Sequence, residues 1–413
     1  MPTYRQGLTE SPNSPEMKFK FKMKNDTGAA QAAPVLKSKR KIIMIDSQLI
    51  MLEGMPSTGK TTNSRFIQIQ LERSSMKTEW IHEVAMPHPV LFFDEAGMTY
   101  EEYDKFIKTY PQTADILNSI AVFRKSTVGI HLPELQWNCG DKIDSKVYQA
   151  LLEYDVWNFP IDVYKKFALE KWEYFTRKAL ENRDKVYIID SAVFQFQIFT
   201  FLFKNRPYQE LQSFIEQIGD IIRPLNPCLL YFYRENTEAT IDYLVKDRGI
   251  SYLEYVWNRD KDQPYYADKP PGAESFKQFL RDYADMANLL FASLQINKIS
   301  FEISNGNWES LEDEMLSFLD IHRLPGPKAF PQNGVYKNEE AGFVINVDGL
   351  TITDPTGKIR ALFPKTDNEF YVDWLPTILR FEENRIIISG SQICERWTAM
   401  GMIYKKMNYM SSH

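Results

Sequence analysis

The sequence predicts an α/β fold, in which a parallel five-stranded sheet carries helices on both faces and is followed by a small antiparallel β-domain. Two observations predict the sheet domain. Apolar runs of strand length alternate with amphipathic helical segments over residues 42–325, and alternating strands and helices favour parallel pairing. A third observation predicts the β-domain, because residues 333–407 contain short strand-like runs separated by turns such as Asp348-Gly349 and Asp354-Pro355-Thr356-Gly357.

Five apolar runs are predicted as the strands of the sheet. The stretch between the second and third strands, about residues 95–183, has mainly helical periodicity and predicts a helical insert. Residues 249–272 are polar, aromatic and Pro-rich, and they predict a lid loop that begins at Gly249, where the preceding helix stops. The predicted strands are 48–53, 79–84, 185–190, 228–233 and 298–303.

Composition limits the classes of function. Lys and Arg number 49 and Asp and Glu number 55, a net charge of −6 that disfavours nucleic acid as the partner of the core. No apolar run is long enough to span a bilayer, so the sequence predicts a soluble cytoplasmic protein with no membrane partner. Cys139, Cys228 and Cys394 show neither disulfide nor zinc spacing. Residues 1–41 are polar and basic, and they predict a flexible tail.

Residues 54–61, Gly-Met-Pro-Ser-Thr-Gly-Lys-Thr, match the phosphate-binding pattern G-x-x-x-x-G-K-[ST] between an apolar strand and a helix. Backbone N–H groups of such a loop and the positive end of the following helix surround an anion. Lys60 then reaches the β- and γ-phosphates, and the Thr61 hydroxyl binds Mg²⁺. The pattern predicts ATP and Mg²⁺ as cofactors. The predicted cofactor-binding residues are Gly54, Met55, Pro56, Ser57, Thr58, Gly59, Lys60, Thr61 and Thr62.

A second carboxylate must help to hold Mg²⁺, and the sequence offers two candidates. Asp190 ends the third predicted strand. Asp94-Glu95 follows the apolar run 90–93, as in motor-type ATPases, but Pro87 and Pro89 crowd that run. The favoured interpretation therefore makes Asp94 and Glu95 an acidic pair at the start of a helix, and Asp190 the metal-side carboxylate. The guanine-recognition signature Asn-Lys-x-Asp does not occur in the sequence, which disfavours a GTPase.

Downstream of Asp190, the order of strand, helix with Asp247-Arg248-Gly249, charged aromatic loop and long helix resembles the nucleoside and nucleotide kinase branch of P-loop proteins, especially thymidylate kinases. In this resemblance Asp190 stands for the Asp of the family's Asp-Arg motif, but Ser191 replaces the Arg. Gln195 is close to a Gln that would contact a base or acceptor. Arg248 resembles the lid-side arginine, with Arg259 a further lid candidate, and Glu83 resembles the acidic residue that faces the acceptor.

These observations predict an ATP- and Mg²⁺-dependent phosphotransferase that acts on a small-molecule acceptor, such as a nucleoside, a nucleotide or a related metabolite. The predicted catalytic residues are Lys60, Asp190, Glu83 and Arg248; the metal ligands are Thr61 and Asp190; the substrate residues are Arg124, Gln195 and Arg259.

The alternative is a P-loop ATPase or nucleotide-dependent switch that controls a partner through the β-domain and depends on Asp94 or Glu95. The β-domain loosely resembles small β-domains appended to serine hydrolases, which implies an interaction module and no catalysis. A homodimer is left open.

Overall fold

The computed structural model of this chain describes residues 46–393 and 395–407. The predicted basic tail, residues 1–41, lies outside that part of the chain. Among the described residues, none of the helices combines the length and apolar character needed to cross a membrane.

The first strand and helix of the sheet domain lie on either side of the phosphate-binding sequence. The strand is completely buried, as expected for a central parallel strand covered on both faces. The helix begins at Lys60 and ends shortly before the second strand. These elements are β1 (Leu49–Gly54), α1 (Lys60–Arg73) and β2 (Lys77–Ile81).

The insert differs from the helical prediction, because it contains a small antiparallel sheet in the order β3-β5-β4. Its strands have only two to five residues, and β3 pairs with β5 across about thirty residues of chain, so no local periodicity marks them. The elements are β3 (Glu95–Thr99), α2 (Tyr100–Thr109), α3 (Ala114–Ile120), β4 (Val122–Phe123), β5 (Thr127–His131), α4 (Leu132–Cys139), α5 (Ser145–Leu152) and α6 (Ile161–Leu180).

The predicted lid loop is also mainly helical. Gly249 has φ +84° and ends one helix, and the next begins at once and buries Leu253 and Val256. The elements that complete the domain are β6 (Lys185–Asp190), α7 (Gln195–Phe203), α8 (Tyr208–Ile222), β7 (Cys228–Tyr233), α9 (Thr237–Arg248), α10 (Ile250–Asp260), α11 (Ala273–Ser293), β8 (Asn297–Glu302) and α12 (Trp308–Phe318).

In the described residues the parallel sheet has five strands in the order β2-β6-β1-β7-β8, which confirms the predicted fold class. Apolar side chains from α6, α7, α8 and α11 pack on one face, and those from α1 and α12 pack on the other. Since all strands are parallel, β1, β2 and β6 bring their carboxyl ends to one edge. That edge holds the phosphate-binding sequence and the residues that follow β2 and β6.

The C-terminal region forms a closed antiparallel barrel in which each strand pairs with the next and the last returns to the first. Buried apolar side chains, including Ile345, Phe370 and Leu379, fill its interior. The antiparallel β-domain of the prediction is confirmed as a barrel. Its strands are β9 (Gly334–Lys337), β10 (Val344–Asp348), β11 (Thr351–Thr353), β12 (Ile359–Pro364), β13 (Glu369–Val372), β14 (Thr377–Glu382), β15 (Arg385–Gly390) and β16 (Ile403–Lys406).

Candidate active site

The loop between β1 and α1, residues 54–61, has the backbone conformation that its glycines permit. Gly54 has φ +151°, and a Cβ there would lie 2.4 Å from the Phe232 carbonyl oxygen and 2.8 Å from Thr58 Oγ1. Gly59 has φ +87°, and its Cβ would lie 2.8 Å from the Trp308 ring. A side chain at either position would therefore require strained backbone and displaced neighbours. We call residues 54–61, the segment predicted to bind phosphate, the phosphate loop.

Hydrogen bonds to the Met55 carbonyl hold the phosphate loop together. Thr58 Oγ1 donates to this oxygen at 2.7 Å, and Lys60 Nζ donates to it at 2.9 Å. Lys60 is buried, and burial lowers the pKa of its ammonium group, opposed by Asp190, Glu83 and Glu53. Pro56 is half-buried and Thr62 is exposed on the first turn of α1. The Lys60 ammonium thus lies inside the loop and close to three carboxylates.

Asp190 ends β6 beside the start of α1. Thr61 Oγ1 donates to Asp190 Oδ2 at 2.6 Å, and Ser191 Oγ donates to Oδ1 at 2.8 Å. The carboxyl group is completely buried, and this burial, together with the nearby Glu83, raises its pKa to about 6. Lys60 and the two hydroxyl donors act in the opposite direction. The two predicted metal ligands, Thr61 and Asp190, are therefore in direct contact.

Glu83 follows β2, next to β6 in the sheet, and lies close to the same charges. Gln195 Nε2 approaches its Oε2 at 3.4 Å, the long end of a hydrogen bond. Glu83 also interacts electrostatically with Asp190, Lys60 and Arg248. The structure therefore brings the four predicted catalytic residues and Gln195 to one edge of the sheet.

The end of α9 contributes Asp247 and Arg248. Ser57 Oγ, in the phosphate loop, donates to Asp247 Oδ2 at 3.2 Å. Arg248 Nη1 donates to the Tyr252 hydroxyl at 3.1 Å, and the guanidinium lies 4.9 Å from the centre of that ring. The Asp247 contact places the end of α9 beside the phosphate loop, where Arg248 interacts electrostatically with Glu83.

Sequence reasoning missed Glu53, the last residue of β1 before Gly54. Its carboxylate accepts from the backbone N–H of Val193 at 2.6 Å and of Gln195 at 3.1 Å. Burial raises the pKa of Glu53 to about 7, although these N–H groups and the Lys60 charge lower it. Glu53 therefore joins the phosphate loop to the first residue of α7. The available signal was a charged residue at the end of an apolar run.

Sequence reasoning also missed Trp308, the first residue of α12, whose ring packs against Gly59 of the phosphate loop. Nothing in the local sequence relates residues 59 and 308, because their proximity follows from the position of β8 in the sheet. The available signal was Asn305-Gly306-Asn307, a turn sequence before an amphipathic helix.

Two predicted substrate residues have other partners. Arg124 is buried in the insert, where its Nη2 donates to Glu95 Oε1 at 2.5 Å. Arg259 donates through Nε to Asp260 Oδ1 at 2.8 Å and through Nη2 to Oδ2 at 2.5 Å. These contacts join the two guanidinium groups to Glu95 and Asp260, and a substrate role for either stays a prediction.

The prediction for Asp94-Glu95 as a helix-terminal pair is wrong. Glu95 begins β3, and the following helix is capped by Thr99, whose Oγ1 accepts from the Glu102 N–H. The Glu95 carboxylate is buried and bonded to Arg124 and Lys171. Burial opposes its ionisation, but these two cations overcome that cost and lower the pKa of Glu95 to about 2. Its two cationic partners hold this carboxylate inside the insert.

Comparison with known proteins identifies no family. No model of a known protein family matches the sequence, and no curated protein matches it either. One similar solved structure is the YorR protein of Bacillus subtilis in complex with phosphorylated GDP, which matches 66% of this chain and 95% of its own. The identity is 9% and the TM-score is 0.30. A likeness of this size says nothing about the function of the present chain.

Proposed function

We propose that the chain is an ATP- and Mg²⁺-dependent phosphotransferase that acts on a hydroxyl group of a small molecule, such as a nucleoside, a nucleotide or a related metabolite. One observation carries this proposal. Lys60 of the phosphate loop, Asp190 at the end of β6, Glu83 after β2 and Arg248 at the end of α9 converge at the carboxyl edge of a parallel sheet and interact electrostatically. Open α/β sheets bind ligands at this edge.

The donor atoms near the phosphate loop suit Mg²⁺. Thr61 Oγ1 and Asp190 Oδ2 are hard oxygen ligands 2.6 Å apart. No group of three or more acidic, His or Cys side chains that could form a metal cage occurs in the described part of the chain. Mg²⁺ commonly uses one or two protein ligands and completes its shell with phosphate oxygens and water. When bound, the ion would neutralise charge on the β- and γ-phosphates.

The remaining residues can be given roles in the transfer. The acceptor oxygen attacks the γ-phosphorus, the bond from that phosphorus to the bridging oxygen breaks, and ADP leaves. Lys60 and Arg248 neutralise the charge on the transferring group, since positioning and electrostatics do most of the work in this chemistry. The acceptor proton goes to a carboxylate. Glu83 suits this task better than Asp190, whose two oxygens already accept from Thr61 and Ser191.

The alternative of an ATPase or switch depends on Asp94 or Glu95. The pairing of Glu95 with Arg124 and Lys171 inside the insert disfavours it, since Asp190, and not this carboxylate, contacts Thr61. The phosphotransferase proposal is therefore the better supported of the two.

The test measures ADP formation by the full-length protein with Mg²⁺ and ATP, alone and with a panel of nucleosides, nucleotides and sugars. We expect at least one acceptor to raise the rate above that with water. Asp190→Asn should lower the stimulated rate by about 10³-fold, because the metal-side charge is lost. The control Asp184→Asn, exposed at the other end of the same strand, should change nothing. Turnover that ignores every acceptor and is abolished by Asp94→Asn would support the ATPase instead.

A further inference from the structure

The C-terminal barrel makes backbone contacts with the segment that carries Glu83. Ala85 pairs with Ile393 in an antiparallel β-bridge, and the Met86 N–H donates to the Gln392 carbonyl oxygen at 2.9 Å. Ser391 Oγ donates to the Trp80 carbonyl oxygen at 3.3 Å, three residues before Glu83. The chain is therefore bound to the barrel on both sides of this carboxylate.

The side chain of Val84 strengthens this attachment. Val84 is buried and belongs to the hydrophobic cluster that fills the barrel, together with Ile393 and Trp397. Glu83 and Val84 are adjacent in the chain, so the anchoring of Val84 restricts the backbone that carries Glu83. Glu83 itself is only half-buried, and its described hydrogen-bond contact, with Gln195, is long. The long hydrogen bond with Gln195 restrains the Glu83 carboxylate only weakly. The barrel contacts add restraint on the backbone that carries it.

A second contact joins the barrel to the helix of the phosphate loop through Arg65, one turn after Thr61. Its guanidinium is buried and lies 4.3 Å from the centre of the Trp80 ring and 5.1 Å from that of Tyr371. Arg65 Nε donates to the Asp373 carbonyl oxygen at 3.2 Å, and Nη1 donates to Gln68 Oε1 at 2.7 Å. The fork and flat faces of an arginine suit this arrangement, which lysine cannot reproduce.

The far end of α1 is attached to the same barrel strand. The Tyr371 hydroxyl donates to Glu72 Oε2 at 2.5 Å, and Lys365 Nζ lies 3.3 Å from the same oxygen. Strand β13 therefore packs along α1, while residues 391–393 pair with the segment after β2. The barrel therefore contacts both α1, which follows the phosphate loop, and the segment that carries Glu83.

We propose that the barrel positions Glu83 against the phosphate loop, and that Arg65 is the positioning residue at the centre of this contact. The proposal rests on the proposed function, since it assumes that Glu83 orients or deprotonates the acceptor. It assigns the barrel a positioning role in the proposed reaction. Arg65 binds no substrate; it acts through Trp80 and Asp373 on the relative placement of residues 82–86 and α1.

The test uses full-length variants and two kinds of measurement. Arg65→Gln removes the stacked cation, and Tyr371→Phe is the milder variant that keeps the ring and removes only the bond to Glu72. Ile359→Ser changes an exposed side chain of the same barrel and is the matched control. Hydrogen exchange of the amides of residues 82–86 reports how firmly the segment is held. Calorimetric titration with Mg²⁺ and ATP, and the kcat for the best acceptor in the panel, report function.

For Arg65→Gln we expect exchange at residues 82–86 to rise about tenfold or more and kcat to fall by a similar factor, because small misplacements of a reacting group are costly. The Kd for ATP should change by less than about threefold, since Lys60 and Thr61 remain. Arg65→Lys should recover only part of kcat. Tyr371→Phe should move exchange and kcat in the same direction by less, and Ile359→Ser should move neither.

Three outcomes would overturn the proposal. Unchanged exchange at residues 82–86 in both Arg65→Gln and Tyr371→Phe would show that these contacts do not hold the segment. Raised exchange with unchanged kcat would show that the held segment does not matter for transfer. If the wild-type protein uses no acceptor, the proposed function fails separately, and positioning of a catalytic Glu83 is overturned with it, whatever the exchange data show.

Discussion

Two buried groups of carboxylates in this chain have opposite electrostatics. At the sheet edge, Glu53 and Asp190 have pKa values raised by burial to about 7 and about 6, while Lys60 is shared among them and Glu83. In the insert, Glu95 is equally buried but forms ion pairs with both Arg124 and Lys171, and these two cations lower its pKa to about 2. An excess of acid over base marks the edge as a candidate active site, whereas the direct bonds from two cations to Glu95 mark an internal ion cluster.

The largest expected effect on stability lies in the insert. Glu95→Gln leaves Arg124 and Lys171 buried without their counter-charge, so we expect the free energy of unfolding to fall by about 3 to 5 kcal/mol. Urea unfolding measures it. The exposed control Glu101→Gln should change stability by less than about 0.5 kcal/mol. Adding Lys171→Met to Glu95→Gln should recover part of the loss. A loss below about 1 kcal/mol for Glu95→Gln would show that this ion cluster does not stabilise the fold.

A smaller effect is expected at Glu53, and it depends on pH. Because its pKa is higher in the folded protein than its usual 4.5, its contribution to stability is fully present below pH 4.5 and is lost as the pH rises through 7. Relative to Glu53→Gln, the wild-type protein should lose about 3 kcal/mol of unfolding free energy between pH 4.5 and pH 7.5. The exposed control Glu254→Gln should run parallel to wild type. Equal pH slopes for wild type and Glu53→Gln would contradict the prediction.

The smallest effect concerns the coupling between Asp190 and Glu83. The ionised form of Asp190 is the one that suits Mg²⁺, so the affinity for Mg²⁺ and ATP should fall as the pH drops below about 6. Glu83→Gln removes a nearby negative charge and should move the midpoint of this fall to lower pH. Calorimetric titrations between pH 5 and pH 8 measure both curves. An unmoved midpoint would show that the two carboxylates do not interact at the edge.

Prediction from sequence was most specific where a short run of residues carries the proposed chemistry. The motif at residues 54–61 specified the phosphate loop, because each glycine, the lysine and the threonine has a local chemical requirement. Asp190 was located from its position at the end of an apolar run, since parallel strands end at a common edge. Glu83 was located from the resemblance to nucleotide kinases. Prediction failed for Glu95, and the sequence did not indicate its partner Arg124, because the two residues lie 29 positions apart in the chain and meet only through the pairing of β3 with β5.

The sequence by itself therefore determined the five parallel strands, the motif at residues 54–61 and two of the carboxylates beside it, Asp190 and Glu83. The tertiary structure alone decided which buried charges pair, that Trp308 covers Gly59, and that the barrel packs against Arg65 and pairs with the segment beside Glu83. The physical reason is the range of the interactions. Strand period, glycine conformation and helix dipoles act within a few residues, whereas burial and charge pairing depend on residues that only the folded chain brings together.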